Sequence, residues 1–378
     1  MKKVFPIILL LLSLLLTESA VGVSAAPENS GKAMVLMHAQ TGQLLFSKNC
    51  DEKLLIASTT KIMTALVVIE NCSLEEKVDI IPEYTGVEGS SMYLAAGESY
   101  TVEQLLYGLM LSSGNDAALA LAQHCAGSVE SFVAMMNEKA QQLGLLSTGF
   151  KNPNGLDAKG HGSTARELAL LTAEAMKNPV FTRIVSAKSY TIGERCFKNH
   201  NKLLWSCNGV IGVKTGYTRA AGRTLVSCAE RNGLKLICVT LNDPDDWRDH
   251  SAYYDWAFEN YEYKNLIPWG TQYAIPVISG QEDRVYAACP DFAASLIEKG
   301  AAIAYTVELP HFVYAGVTKG ETAGTIYVMA DGKPIGEYKL VYTSSVPQAE
   351  DSTLSPWRRF RKAIFLSNNY GYVFDKGR

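Results

Sequence analysis

Ser58 and Lys61 stand three residues apart in Ala57-Ser58-Thr59-Thr60-Lys61, where a polar segment gives way to the apolar run 62–69. A serine at such a boundary caps or opens a helix. Lys61 then lies one turn further along, on the same face as Ser58. A hydroxyl beside an amine is a nucleophile beside a base, and a helix N-terminus favours the negative charge that develops there. Taken alone, the pair is commonplace: a capping serine and a solvated lysine give the same letters. Two further fragments follow in order. Ser113-Gly114-Asn115 offers a second hydroxyl and an amide at a helix-to-loop turn, and Lys214-Thr215-Gly216 ends a predicted strand. Gly216 lets a ligand approach the backbone closely.

The elements that must position these groups are legible as patterns. Segments 33–37 and 43–47 read as two strands joined at Gln40-Thr41-Gly42. Helical patterning dominates from residue 59 to about 177. Within it, Thr101-Val102-Glu103-Gln104 reads as a capping box opening a helix that stops near Ser113-Gly114, and a further helix begins near Asp116. Strand character returns at 210–214. Segments 223–229 and 234–241 then form a predicted hairpin about Arg231-Asn232-Gly233. Strands at both ends with helices between them predict one α/β sandwich domain. After the proline-containing boundary Asn265-Leu266-Ile267-Pro268-Trp269-Gly270, the runs 301–309, 311–317, 324–329 and 337–342 alternate with Gly, Pro and Asp turns and predict a small all-β domain.

The ends of the chain carry their own signals. Lys2 and Lys3 precede an apolar stretch, 7–16, broken only by Ser13, and Val23-Ser24-Ala25 closes it with small residues. That is the pattern of a cleaved secretory signal over 1–26, too short to span a bilayer. The tail 347–378 holds Ser355-Pro356-Trp357-Arg358-Arg359-Phe360-Arg361-Lys362, a predicted basic amphipathic helix suited to an anionic membrane surface or to packing on its own domain. The expected organisation is therefore signal 1–26, catalytic domain 27–265, β-rich domain 266–346 and tail 347–378.

Composition narrows the function. The 378 residues are 47% hydrophobic and 19% charged with a formal net charge of −3, which gives no support for a nucleic-acid partner. The eight cysteines form no Cys-x-x-Cys pair; buried free thiols are the default reading, and an exported chain could still pair some of them. No His-Glu-x-x-His or zinc-spaced cluster is present in the sequence, so no metal or other cofactor is expected.

The ordered trio resembles the serine-type penicillin-binding and class A β-lactamase superfamily. The resemblance is nearer to low-molecular-weight penicillin-binding proteins acting as D-alanyl-D-alanine carboxypeptidases, and it covers about residues 30–345. Besides the trio, Asn152-Pro153-Asn154-Gly155-Leu156-Asp157 and His161-Gly162-Ser163-Thr164-Ala165 match the family, and the segment after residue 266 is similar to its C-terminal domain. The resemblance implies a penicillin-binding, transpeptidase-like fold: an antiparallel sheet flanked by helices, followed by the small all-β domain. It implies peptidoglycan stem peptides as substrates, β-lactam antibiotics as covalent inhibitors, and an exported protein at the bacterial cell surface with peripheral membrane contact through its tail.

The residue roles follow on physical grounds and agree with the resemblance. Ser58 attacks the carbonyl between two terminal D-alanines, and Lys61, made neutral by desolvation and a nearby cation such as Lys214, takes its proton. Ser113 relays a proton to the leaving amine. Asn115 orients Lys61 and the substrate amide, while Lys214 and Thr215 clamp the terminal carboxylate. Backbone N–H groups of Ser58 and Tyr217 form the oxyanion hole beside Gly216. His200 stands where some relatives carry an arginine near the carboxylate pocket and is a candidate substrate contact. His161 is expected to order the loop ahead of the next helix rather than to react. A β-lactamase would need a Glu-x-x-x-Asn element, but Glu167 is followed by Leu171 at the matching place. A transpeptidase and a non-enzymatic peptidoglycan-binding protein are the remaining rivals.

Overall fold

The computed structural model describes residues 24–290 and 293–349. The predicted signal, up to residue 23, and the tail from residue 350, with its predicted amphipathic helix, lie outside the described residues.

Strands β1 (Ala33–His38) and β2 (Leu44–Lys48) open the chain, followed by a 3-10 turn, Ala57–Thr60, that runs into helix α1 (Lys61–Asn71). Short strands β3 (Lys77–Asp79) and β4 (Ser99–Thr101) bracket a loop, and helices α2 (Val102–Leu111), α3 (Asn115–Ala126), α4 (Val129–Gln142), α5 (Ala165–Ala175) and α6 (Pro179–Ser186) follow. Hairpin β5 (Ser189–Ile192) and β6 (Arg195–Lys198), then α7 (Leu203–Ser206), lead to β7 (Val210–Thr218), β8 (Gly222–Arg231), β9 (Leu234–Leu241) and helix α8 (Asp246–Asn260). The main sheet has the order β2-β1-β9-β8-β7, antiparallel throughout.

Burial on both faces explains the unbroken apolar runs of its central strands. All six residues of β1 are buried. Ala33, Val35 and Met37 pack into the core under α1 to α6, whereas Met34 and Leu36 face the core under α8. In β9, Ile237, Val239 and Leu241 go to the first core and Leu234, Leu236 and Cys238 to the second. This is the two-fold alternation of a strand covered on both sides. The β8–β9 turn at Asn232-Gly233 has positive φ at both residues (51° and 81°), the combination that matches hairpin twist.

Helix α1 is the hub of the helical layer: every residue from Lys61 to Val68 is buried, so it is enclosed on all sides rather than amphipathic. The predicted capping box is present on α2, where Gln104 N donates to Thr101 Oγ1 (3.1 Å) and Thr101 N to Gln104 Oε1 (2.9 Å). In two places the structure departs from the sequence reading. Ser58 makes no cap hydrogen bond; it is the second residue of the 3-10 turn, and α1 starts at Lys61. Lys214-Thr215-Gly216 lies inside β7, which runs on to Thr218 because it pairs with β8 as far as Gly222.

The C-terminal part is all β, as expected. β10 (Tyr261–Asn265) pairs with β13 (Ala294–Glu298). β11 (Gln272–Ile278), β12 (Arg284–Ala288), β14 (Ile303–Glu308), β15 (Val313–Tyr314), β16 (Thr322–Ala330) and β17 (Lys333–Tyr342) form a sheet of order β14-β16-β17-β12-β11-β15 over a third apolar core. Among the described residues no helix is long and apolar enough to cross a membrane.

Candidate active site

The 3-10 turn sets the site. Thr59 Oγ1 donates back to Ile56 O (2.6 Å) and Thr60 Oγ1 to Ala57 O (2.8 Å). Those two hydroxyls are consumed locally, and the Ser58 hydroxyl points instead to Lys61 Nζ, 3.1 Å away. Ala57, immediately before Ser58, has φ +46°, a left-handed conformation that a side chain disfavours.

Lys61 is fully buried and Nζ has two further partners, Asn115 Oδ1 at 2.7 Å and Asn154 O at 2.6 Å. Both are carbonyl oxygens and can only accept. A neutral amine carries two N–H groups and one lone pair. As an ammonium Lys61 donates to Ser58 Oγ and to both carbonyls; as a neutral amine it gives its two N–H groups to the carbonyls and turns its lone pair to the Ser58 hydroxyl. Burial is the largest influence holding the Lys61 pKa well below the ordinary lysine range; the charge of Lys214 lowers it further, and Asp116 partly opposes both.

Asn115 is aimed from the first turn of α3. Its Nδ2 donates to Glu88 O (2.6 Å) and its backbone N to Ser90 O (2.8 Å), which fixes the side-chain oxygen toward Lys61. Asp116 ties the same loop down, accepting from Ser91 Oγ, Met92 N and Leu94 N. Ser113, two residues before Asn115, is buried at φ +59° in the α2–α3 junction, and among the described residues its Oγ finds no hydrogen-bond partner.

Strand β7 supplies the opposite wall. Lys214 lies on this edge strand yet is only 1% exposed, so it is not the solvated edge lysine that protects a sheet from aggregation. Burial lowers its pKa to about 7, and Nζ donates to Thr215 O (2.9 Å). A side chain on Gly216 would place Cβ 2.4 Å from Thr224 Oγ1 and 3.0 Å from Ser58 N. The glycine therefore lets β7 close onto the Ser58 turn, a packing role beside the close ligand approach expected from the sequence. Thr215 is half-buried and Tyr217 is 66% exposed. His200 lies at the surface, its backbone N donating to Leu111 O (3.2 Å); partial desolvation first, and the Lys214 charge second, lower its pKa. Ser58, Lys61, Asn115, Lys214 and Gly216 are thus gathered at one place, with Ser113 in the adjoining junction and Thr215, Tyr217 and His200 along the β7 side.

Sequence reasoning assigned no role to the 152–157 loop, which the structure brings against both nucleophile and base. Asn154 gives its carbonyl to Lys61, and Thr64 Oγ1 donates to Pro153 O (2.6 Å). Gly155 has φ +92°, and a Cβ there would stand 2.0 Å from Ala57 O. The Asn-Pro-Asn-Gly run was the available signal, a turn sequence that says nothing of what the turn touches. Glu167, the nearest acid to a β-lactamase element, is bound by Ser147 N and Thr148 Oγ1, away from this cluster.

A nucleophile–base pair at the head of a buried helix, facing an edge strand across a glycine, defines a serine acyl-transfer site. The chain matches the D-alanyl-D-alanine carboxypeptidase family over residues 20–245 and the penicillin-binding protein 5 C-terminal domain over residues 261–348. It is 30% identical to the D-alanyl-D-alanine carboxypeptidase DacF of Bacillus subtilis over 355 residues, 88% of this chain and 91% of that one. It is 35% identical to DacC of Escherichia coli over 344 residues, 85% and 86% of the two chains. Penicillin-binding protein 5 of Haemophilus influenzae superposes with a TM-score of 0.74 at 30% identity, covering 86% of this chain and all of that one. The chain belongs to the serine-type D-alanyl-D-alanine carboxypeptidase family of penicillin-binding proteins.

Proposed function

We propose that the protein removes the terminal D-alanine from peptidoglycan pentapeptide stems through an acyl-enzyme on Ser58, outside the cytoplasmic membrane. The observation that carries this reading is the three-way environment of Lys61 Nζ: two carbonyls that can only accept, and one hydroxyl that can give up its proton.

Lys214 and Thr215 hold the carboxylate of the peptide's free C-terminus; its negative charge restores full protonation to Lys214. Neutral Lys61 takes the Ser58 proton as Oγ attacks the penultimate carbonyl. Backbone N–H groups of Ser58 and Tyr217 receive the oxyanion, an interaction worth about 3–4 kcal/mol per donor in comparable sites. Lys61 returns the proton to the departing D-alanine amine through Ser113, whose unpartnered buried hydroxyl suits a relay. Water then releases the shortened peptide. Asn115 keeps Lys61 in place and contacts the substrate amide, and His200 and Gly216 border the carboxylate end.

A β-lactam presents a strained amide to the same serine and acylates it. The export pattern at the N-terminus supports action at the cell wall. The test is labelling by a fluorescent penicillin beside Ser58→Ala, with mass analysis of a pentapeptide muropeptide. The expected outcome is one label per chain, lost in the variant, and release of one D-alanine. Labelling that survives Ser58→Ala sinks the mechanism; a cross-linked dimer as the main product makes the protein a transpeptidase instead.

A further inference from the structure

Ala57 is held in a conformation that a residue with a side chain avoids, one position before the nucleophile. Such a residue persists only where its surroundings over-determine it. Two features press on its carbonyl: the bare backbone of Gly155, and the hydroxyl of Thr60 at 2.8 Å. Thr60 in turn lies 2.8 Å from His161 Nε2, and Lys151 N donates into His161 Nδ1 at 3.0 Å. Because Nδ1 accepts, the proton of the neutral ring sits on Nε2. Nε2–H therefore donates to Thr60 Oγ1, which leaves the Thr60 proton a single destination, Ala57 O. Every donor in this chain has one orientation. Thr60 and His161 are 0% and 4% exposed, so water does not compete. The segment carrying His161 is itself clamped: Ser163 and Leu54 exchange both backbone hydrogen bonds, as do Gly162 and Gly149.

We infer that His161 is the positioning residue of the nucleophile: acting through Thr60, it fixes the Ala57 carbonyl and so directs Ser58 Oγ onto Lys61. It touches neither substrate nor reacting atoms. The inference rests on the reading of Ser58 as the acylated residue and adds to it a residue 101 positions distant from Thr60 in sequence.

Its two bonds can be separated. In His161→Gln the amide nitrogen stands near the place of Nε2 and keeps a donor for Thr60. In His161→Asn the amide oxygen stands near the place of Nδ1, keeping the Lys151 bond and abandoning Thr60. Thr60→Val removes the relay at nearly constant volume, and Thr60→Ser retains it. The readouts are the acylation rate by a fluorescent penicillin, its non-covalent affinity before acylation, and the melting temperature. Expected are roughly 10- to 100-fold slower acylation in His161→Asn and Thr60→Val, with binding before acylation unchanged, since a nucleophile displaced by a fraction of an ångström loses rate on that scale. His161→Gln and Thr60→Ser should stay within about fivefold of wild type, because each keeps the bond to Ala57 O in force. The pair His161→Asn with Thr60→Val should be no slower than either alone, as expected for two members of one path.

Should the histidine variants not fold, the two Thr60 variants decide the matter. Wild-type acylation in Thr60→Val, or independent multiplicative losses in the double variant, overturns the inference while leaving Ser58 as nucleophile. A wild-type protein that takes no label overturns the nucleophile reading and this inference with it.

Discussion

The N-terminal region, from β1 to α8 on both faces of the main sheet, and the C-terminal sheet β14-β16-β17-β12-β11-β15 both enclose apolar cores, yet they treat polar groups in opposite ways. Among the described residues, all the buried polar or charged side chains lie between His38 and His250. They include two lysines, four aspartates and three histidines. The C-terminal sheet buries Val285, Ile326, Val328 and Leu340 with no such group beside them. Burying an ionisable side chain is costly unless it is paired or neutralised. The first region bears that cost where Lys61, Asn115, Asp116 and Lys214 converge. Chemistry is concentrated there, and the second region is a paired-strand scaffold closed over apolar side chains.

The largest effect that would break this contrast is at Ser58. Ser58→Ala should abolish penicillin labelling and D-alanine release while leaving the melting temperature within a few degrees of wild type, measured by gel fluorescence and thermal unfolding. Lys61→Met keeps the buried stem without the base, and acylation should fall by roughly 10³-fold, within the range for losing a general base. Gly216→Ala forces a Cβ against Thr224 Oγ1 and the Ser58 backbone. The strand must move off the turn, so acylation should fall about 10²-fold, and a crystal structure should show the displacement. Ile326→Ala, in the scaffold, should cost about 2–4 kcal/mol by denaturant titration yet leave the acylation rate of folded protein unchanged. A comparable loss of rate per folded molecule would end the division of labour.

The smallest effect is that of pH. Burial lowers the pKa of His161 to about 4, with Lys53 and Lys151 adding to the effect and Asp157 opposing it; His250 is lowered to about 3 and His38 to about 4. In the unfolded chain each titrates near 6.5. Between those values the unfolded state binds the extra protons, so stability is present above about pH 6.5 and lost as pH falls toward 4. All three lie in the first region, and its melting temperature should drop by several degrees between pH 7 and 4.5 while the C-terminal sheet, followed by hydrogen exchange, holds. Simultaneous loss of protection in both regions would contradict the contrast.

Much of the architecture was legible because its causes are local. The α2 capping box, the Asn232-Gly233 hairpin and the alternation of the late strands are written in neighbouring residues. So are the types of the reactive residues: Ser58 and Lys61 are one turn apart in any helical conformation. Legibility ended where a side chain's partner is remote. Gly216 read as an opening for a ligand, and nothing near it in sequence said that β7 also meets the Ser58 turn there. His161 looked like a loop residue, and its ring reaches Thr60. The short strand pairs β3–β4 and β10–β13 went unread because three- to five-residue segments carry too little periodicity.

By itself the sequence determined which groups are available for chemistry and in what order they come. Tertiary structure decided their state. Lys61 is a base candidate because α1 is enclosed on all sides and Lys214 faces it, and Ser58 is directed because Asn154, Gly155 and His161 close on the turn before it. Desolvation and the orientation of hydrogen bonds depend on what fills the space around a group, and residues 54 or more positions away in the chain fill it here.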